Sequence, residues 1–190
     1  MWSKKRQIAY LTEQLEKAYE KCYVNRQKIE LYQNKYNNLF DLVFDENVHM
    51  INSVCVINDE EFVIYTAGFI HRFVSGLFCK YDSYFEMNFI MKKLSSRYFQ
   101  EVARGEIEIK GRALEIVNID AKHFRMGYGG RLFDCIEKYA AANEIKKIYG
   151  DVDIHTPIGL DNLIRFYEKH GCTVYGDYPD LHFRKEITAQ

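Results

Sequence analysis

The chain has 190 residues, of which 47% are hydrophobic and 28% charged, and its formal net charge is -1. This composition is typical of a folded globular protein, and the charge balance gives no general attraction to nucleic acid or anionic membranes. No stretch approaches the roughly 18 apolar residues of a membrane span, and the N-terminus lacks the apolar segment of a secretory signal. We therefore expect a cytoplasmic protein with neither a membrane nor a nucleic-acid partner.

The cysteines and histidines give no pattern of a covalent framework or a metal site. The six histidines are scattered, and the five cysteines include no C-x-x-C pair. Wide spacing and an odd number argue against paired disulfides and against structural zinc. We expect no bound metal. The cysteines are Cys22, Cys55, Cys79, Cys135 and Cys172.

Residues 3 to 44 contain neither Gly nor Pro and carry a heptad pattern. Apolar residues recurring at alternating spacings of three and four predict a long helix with a narrow seam. We therefore divide the chain into a coiled-coil-like helix at 1–45 and a second domain at 46–190. The a positions are Ile8, Leu15, Cys22, Ile29, Tyr36 and Val43, and the d positions are Leu11, Ala18, Asn25, Tyr32 and Leu39.

The charged residues beside this seam affect which partner the helix can pack against. Lys21, Lys28 and Lys35 occupy g positions and Arg26 an e position, so a parallel homodimer would set Lys21 of one copy near Arg26 of the other. Three alternatives stay open for residues 3–44: packing on the protein's own domain, a homodimer, or a partner helix.

The segment from 46 to 104 is less regular. Residues 50–57 predict a strand, and Asn58 followed by Glu61 resembles a capping box that opens a helix. The aromatic and polar residues of one face of that helix would be Phe62, Thr66, Phe69 and Phe73. Residues 77–104 fit either state, and a spacing of four favours helix for part of them. That spacing joins Ile90, Leu94, Tyr98 and Val102.

The C-terminal half predicts strand, strand, helix, strand, helix, strand, strand. A hairpin turns at Lys110-Gly111-Arg112, and glycine at 171 gives the second helix a normal C-terminal stop. The predicted strands are 106–110, 113–120, 145–154, 172–175 and 181–187, and the predicted helices follow residue 130 and span 160–170.

The segment 124–132 places three glycines between a strand and a helix. Glycines allow the backbone to approach a ligand, and the first turn of a helix presents free N–H groups and a positive dipole end. Together they favour a phosphate or pyrophosphate. A Walker A loop is excluded because Arg131-Leu132 stands where Lys-Ser/Thr is required, and Leu132 also breaks a dinucleotide fingerprint.

Two segments resemble the signatures of the GNAT superfamily of acyl-CoA-dependent N-acetyltransferases. Gly127 and Gly129 match the two small positions of Q/R-x-x-G-x-G/A, while Phe124 stands at its first position. Residues 165–172 (RFYEKHGC) are similar to the family's second signature, with Cys172 where Phe is usual. The family's Asn before this signature has Asn162 as its nearest counterpart here.

The resemblance implies an α/β (α+β) fold of GNAT type, with a mixed, mainly antiparallel sheet flanked by helices and preceded by the long N-terminal helix. It also implies acetyl-CoA as co-substrate, with the pantetheine paired to the strand before the turn and the pyrophosphate on the turn. The residues it assigns to the donor are Val117, Ile119, Arg125, Met126, Gly127, Tyr128, Gly129, Gly130 and Asn162.

The implied reaction is direct transfer of the acetyl group to a primary amine. Tyr167 is similar to the family's general acid, which protonates the departing thiolate. Glu115 is the candidate general base, with Asp120 and His155 in reserve. The acceptor could be a small molecule, a peptide or a protein. Two other functions remain: acyl-CoA binding without transfer, and an assembly or adaptor role for the N-terminal helix.

Overall fold

The computed structural model describes residues 4–45, 47–76, 79–95 and 98–188, with side chains except those of 4–11, 44, 49, 69–76 and 79–83. Three helices and eight strands follow one another in this part of the chain. They are α1 (Lys4–Phe44), β1 (Val48–Ile57), β2 (Glu60–Gly76), β3 (Cys79–Lys93), β4 (Glu101–Lys110), β5 (Ala113–Ala121), α2 (Tyr128–Ala142), β6 (Lys147–Asp151), α3 (Leu160–Lys169), β7 (Thr173–Asp177) and β8 (Asp180–Glu186).

The strands form one sheet in the order β1-β2-β3-β4-β5-β6-β8-β7. Neighbouring strands are antiparallel except β5 and β6, which run parallel with α2 as their crossover. The predicted architecture is therefore confirmed: a mixed, mainly antiparallel sheet flanked by helices, preceded by a long helix. The predicted order of the C-terminal half is also confirmed, although β8 enters the sheet between β6 and β7.

The helix predicted from the capping box at Asn58 is wrong. Asn58 and Asp59 have φ of 50° and 62°, and they form the tight turn of a hairpin between β1 and β2. Phe62 faces one side of the sheet and Val63 the other, and both are fully buried. A strand covered on both faces loses its polar alternation, which removes the signal that separates it from a helix. The side chains of Phe69 and Phe73 lie outside the described residues.

The partial helix predicted between 77 and 104 is wrong as well. Residues 79–93 form β3, which pairs with β2 on one side and β4 on the other. Ile90 and Leu94 do share a cluster, because a spacing of four is also a multiple of the two-residue period of a strand. Tyr98 is 85% exposed and Val102 belongs to the opposite cluster, so the four residues do not form one face.

Two apolar clusters lie on opposite faces of the sheet. The larger one packs α2 and α3 on the sheet through residues such as Leu114, Ile116, Leu132 and Phe183. Burial of this apolar area is the main stabilising contribution to the fold. The smaller cluster, on the other face, is formed by Leu42, Val63, Tyr65, Ala67, Ile90 and Leu94.

The end of α1 covers the smaller cluster. Leu42 is 3% exposed, and the Asn38 Nδ2 donates a 2.7 Å hydrogen bond to the Leu94 carbonyl oxygen. One turn earlier, the Lys35 ammonium lies 2.6 Å from the Glu61 carboxylate. The seam residue Tyr36 points away and is 69% exposed. The helix therefore docks mainly through a face beside its heptad seam, and Leu39 is the described seam residue that packs on the cluster. The side chains of seam residues Ile8 and Leu11 lie outside the described residues.

Candidate functional site

The parallel pair β5 and β6 opens into a gap. The two strands pair only from Ala113 to Glu115 on β5 and from Lys147 to Tyr149 on β6. β5 then continues to Ala121, paired with β4 alone among the described strands. One side of its backbone over 116–121 is thus left without a strand partner, and it can accept an extended ligand as an added strand.

A β-bulge at Val117 shapes this side of the gap. Ile116 lies opposite Ile107, while Asn118 lies opposite Glu106, so Val117 is the extra residue. A bulge interrupts the alternation of side chains. As a result Ile116 and Ile119 both pack toward the helices, whereas Val117 is 54% exposed. The predicted donor residues Val117 and Ile119 therefore lie where the open edge of β5 begins.

Gly150 permits close contact at the narrow end of the gap. A Cβ at this position would lie 2.5 Å from the Ile116 carbonyl oxygen and 2.8 Å from the Phe183 ring. Both distances are too short for any side chain, so glycine is required for β6 to approach β5 here. The strands are in contact at this point and separate beyond it.

The glycine turn lies at the end of β5 and is exposed from residue 122 to residue 127. Arg125 and Gly127 both adopt the left-handed backbone, with φ of 63° and 84°. The first helical hydrogen bond runs from the Arg131 N–H to the Gly127 carbonyl oxygen, 3.1 Å. The N–H groups of residues 128–130 precede this bond, and in the first turn of a helix such groups have no intrahelical acceptor.

The charge around this turn is mainly basic, although the exposed Asp120 precedes it and the Arg131 guanidinium lies 4.0 Å from the Asp134 carboxylate. Residues 122–133 contain no Asp or Glu, and the exposed Lys122, Arg125 and Arg131 surround the start of α2. Cations here add to the positive end of the helix dipole. Lys122 and Arg131 were not among the sequence-predicted donor residues. Their spacing around the turn, without an intervening acid, is the signal that could have identified them.

The predicted donor residues of α2 differ in what their side chains do. Tyr128 is buried with its ring 5.2 Å from that of Phe62, so only its backbone faces the turn. A Cβ at Gly130 would lie 3.3 Å from the His170 Nε2, so this glycine allows α2 and α3 to pack closely. Met126 is 37% exposed at the turn. Gly130 is thus explained by packing as well as by access to an anion.

Tyr167 lies on the helix-covered face, next to the narrow end of the gap. Its ring stacks on Phe183 at 3.8 Å and 15°, and Phe183 pairs with Gly150 in the sheet. The residue is 6% exposed. Burial raises the pKa of the Tyr167 hydroxyl well above its usual value, and the nearby Cys172 and Asp153 raise it further. The phenol therefore keeps its proton at neutral pH.

Glu115 lies on the other face of the sheet, immediately before the gap. Its neighbours Leu114 and Ile116 point to the helices, so its own side chain points away from them. The carboxylate lies 2.9 Å from the Lys110 ammonium and accepts a 3.1 Å hydrogen bond from the Tyr149 hydroxyl. Glu115 and Tyr167 therefore flank the gap from opposite faces.

The remaining candidate residues are Asn162, Asp120 and His155. Asn162, in the first turn of α3, donates a 2.8 Å hydrogen bond from Nδ2 to the Ile158 carbonyl oxygen. Asp120 and His155 are both exposed, and the backbone N–H of His155 donates a 2.9 Å hydrogen bond to the Asp153 carboxylate. The sidechain of Asn162 thus stabilises the loop before α3.

Cys172, which follows the second signature, is not suited to covalent catalysis. The residue is 6% exposed. Burial raises the pKa of its thiol to about 11, so the reactive thiolate is scarce at neutral pH. Reaction of the Cys172 thiol as a nucleophile at neutral pH is therefore disfavoured.

The described residues contain no helix long and apolar enough to cross a membrane. Within the same residues, no group of three or more His, Cys, Asp or Glu side chains is arranged to hold a metal ion.

No protein-family model and no curated protein matches the sequence. Among solved structures, the chain is similar to an acetyltransferase from Bacillus cereus, with 22% identity over 55% of this chain and 74% of that one, at a TM-score of 0.44. It is similar to the PaiA N-acetyltransferase from Thermoplasma acidophilum in complex with coenzyme A, with 19% identity over 52% and 60% of the two chains and a TM-score of 0.43. An acetyltransferase of the GNAT family from Staphylococcus aureus is 10% identical over 54% and 68%, with a TM-score of 0.44.

Proposed function

We propose that this protein is an N-acyltransferase that moves an acetyl group from acetyl-CoA to a primary amine. The observation that carries the proposal is the gap between β5 and β6, which opens directly beside an exposed glycine turn and a helix N-terminus. An open strand edge suits the amide groups of pantetheine, and the turn suits a pyrophosphate. The two features are adjacent along the chain, since β5 ends at Ala121 and α2 begins at Tyr128.

The donor would lie with its pyrophosphate at residues 125–130 and its pantetheine along Val117 and Ile119. Lys122, Arg125 and Arg131 add positive charge near the phosphates. The thioester would reach the narrow end of the gap, where the strands meet at Gly150. This orientation brings the sulfur toward Tyr167 and the carbonyl carbon between the two faces of the sheet.

Direct attack by the amine then needs a base within reach of the amine proton and an acid within reach of the departing sulfur. Glu115 is the proposed base, and the amine would approach it from the face of the sheet that α2 and α3 do not cover. The amine nitrogen loses its proton to this carboxylate and forms the new bond to the carbonyl carbon. The carbon–sulfur bond breaks, and Tyr167 protonates the departing thiolate to give free CoA.

The acceptor is a primary amine on a small molecule, a peptide or a protein. The described thiols Cys22, Cys55, Cys135 and Cys172 are free, which fits the reducing environment of the cytoplasm. We therefore place the reaction in the cytoplasm.

The donor site is tested by calorimetric titration of the full chain with acetyl-CoA and, separately, with CoA. We expect micromolar binding that Gly127→Asp abolishes, because the new carboxylate adds negative charge where the pyrophosphate lies. Gly111→Asp is the matched control. Gly111 also has a positive φ, 61°, and a Cβ at either glycine would meet no atom within 4 Å. It lies at the opposite end of β5.

Both variants introduce the same charge and comparable backbone strain, so only Gly127→Asp should lose the ligand. Absence of binding by the unmodified chain would refute the proposed function. Equal weakening by both substitutions would show that strain, and not the position of the charge, governs binding.

Binding of acyl-CoA without transfer is the second candidate. It is favoured by the engagement of Glu115 with both Lys110 and Tyr149, which leaves the carboxylate already occupied. Release of CoA thiol in the presence of a panel of amines separates the two candidates. Binding with no amine-dependent release would support this second function.

A further inference from the structure

A second surface of the protein lies on α1, outside the gap between β5 and β6. The helix contains 41 residues, and among its described side chains, which begin at residue 12, those of the last turns pack on the sheet. Large apolar side chains are left between 56% and 69% exposed along one side of it. This free stripe consists of Leu15, Tyr19, Ile29, Tyr32, Tyr36 and Val43.

The free stripe is distinct from the face that docks on the sheet. Docking uses Lys35, Asn38, Leu39 and Leu42, whereas Tyr36 and Val43 next to them stay exposed. At 3.6 residues per turn, the two faces are separated by about 130° around the helix axis. Among the described residues, the protein's own domain therefore leaves the heptad seam uncovered except at Leu39. From residue 15 to residue 36 the seam spans three heptads, or about 33 Å.

The residues beside the free stripe are basic. Lys21 and Lys28 lie at g positions one heptad apart, and Arg26 lies at an e position on the other flank. All three are exposed and make no ion pair within the described residues. No e or g position from residue 12 to residue 42 is acidic, and the acids of this helix lie on its back. These acids are Glu13, Glu16, Glu20, Glu30 and Asp41.

A second copy of the chain is a poor occupant for this surface. In a parallel pair, Lys21 would face Arg26 of the other copy, and in an antiparallel pair Lys21 would face Lys28. Like charges at these positions oppose pairing in both orientations. A helix with acidic flanks instead places a carboxylate opposite each cation.

We propose that the free stripe of α1 binds an amphipathic partner helix whose seam is apolar and whose e and g positions are acidic. The partner contributes the other half of a heterotypic coiled coil. The apolar seam supplies most of the affinity, and Lys21, Arg26 and Lys28 select the partner by charge. The interaction uses none of the residues that surround the gap, so it stands independently of acyl transfer.

The test uses the full chain and two fluorescent peptides of four heptads, both with Ile at a and Leu at d. One peptide has Glu and the other Lys at every e and g position, and each is kept monomeric by its own like charges. Fluorescence anisotropy measures binding at physiological ionic strength. We expect micromolar binding of the Glu peptide and at least tenfold weaker binding of the Lys peptide.

Charge reversal in the protein provides the stronger criterion. The triple variant Lys21→Glu, Arg26→Glu, Lys28→Glu should exchange the preference, so that the Lys peptide binds tighter. The matched control reverses Lys138, Lys146 and Lys169, which are exposed on the other domain and give the same change in net charge. It should keep the original preference. Circular dichroism verifies that both variants remain folded.

Five results would overturn the proposal. Three concern the peptides: binding of neither, equal binding of both, and an unchanged preference in the triple variant. The fourth is a full chain that sediments as a dimer and becomes a monomer on Tyr32→Glu, which would show that the free stripe binds a second copy. A single-stranded oligonucleotide is included as a competitor. If it displaces the Glu peptide at a lower concentration than unlabelled Glu peptide does, the basic flank binds nucleic acid and the proposal is overturned.

Discussion

The Tyr167 ring has two functions that a single substitution can separate. Stacking on Phe183 holds α3 against the sheet, and the hydroxyl is the proposed proton donor. Phenylalanine keeps the ring and removes only the hydroxyl. The effect of this substitution on stability should therefore be small compared with its effect on turnover.

We expect Tyr167→Phe to lower kcat by about 10²-fold, because a general acid typically contributes that much or more. Binding of acetyl-CoA should change little, since the donor is held by the turn and the strand edge. The matched control is Tyr139→Phe, in which a half-buried tyrosine on α2 also loses a hydroxyl whose pKa burial raises. Steady-state rates and calorimetry on both variants decide the point. Equal rates in the two variants would remove Tyr167 from the mechanism.

Glu115 is tested by the pH dependence of the rate. We expect Glu115→Gln to lower kcat/KM and to remove the acidic limb of its pH profile, because an amide cannot accept the amine proton. His155→Ala serves as the comparison, since His155 is the exposed reserve candidate. A changed profile in His155→Ala alone would transfer the role to the imidazole. If neither variant differs from the unmodified chain, the base is another group or water.

At the scale of elements, α1 presents two neighbouring residues with opposite environments. Leu42 is 3% exposed in the smaller cluster, whereas Val43 is 62% exposed on the free stripe. Substitution of each by alanine therefore distinguishes the docking face from the seam. We expect Leu42→Ala to lower the free energy of unfolding by about 2 to 4 kcal/mol, as for other buried leucines.

Val43→Ala should change the free energy of unfolding by less than about 0.5 kcal/mol, the usual range for an exposed site. Denaturant titration followed by circular dichroism measures both variants under the same conditions. Comparable losses in the two would mean that the seam packs on the domain as well as the face containing Leu42.

The element that local patterns misrepresent most is the hairpin of β1 and β2. Its turn residues Asn58 and Asp59 read as the start of a helix, although an Asx-Asx pair also suits the left-handed backbone of a two-residue hairpin turn. The strands beyond it are buried on both faces, so their apolar runs carry no period of two. The hydrophobic pattern of a sequence reflects which side chains are buried. A continuous apolar run occurs both in a strand buried on two faces and in a buried helix, so it does not distinguish them.

In the whole molecule, the contact of α1 with β2 and the glycine turn lie at the same end of the strands. Lys35 contacts Glu61 near the start of β2. The pairings of β2 with β3, β3 with β4 and β4 with β5 place the end of β5, at Ala121, at this same end of the sheet. The free stripe therefore extends from the side of the sheet where the glycine turn lies.

Several features of the fold depend on local chemistry and could be predicted from the sequence. The long helix of α1, the glycine turn before α2 and the element order from residue 105 onward follow from heptad spacing, glycine placement and capping. Each of these is set by residues within a few positions of one another. Local backbone geometry and side-chain period are sufficient for such features.

Only the tertiary structure decided which surfaces are covered and which side chains meet. The separation of β5 from β6, the packing of Gly150 on Ile116 and the position of Glu115 and Tyr167 on opposite faces of the sheet all depend on pairings between distant segments. The docking of α1 through Leu42 in place of its seam depends on the smaller cluster, formed by strands more than twenty residues away. Heptad spacing specifies that a helix has an apolar side, but which side is buried is set by the shape and the apolar area of the surface it meets.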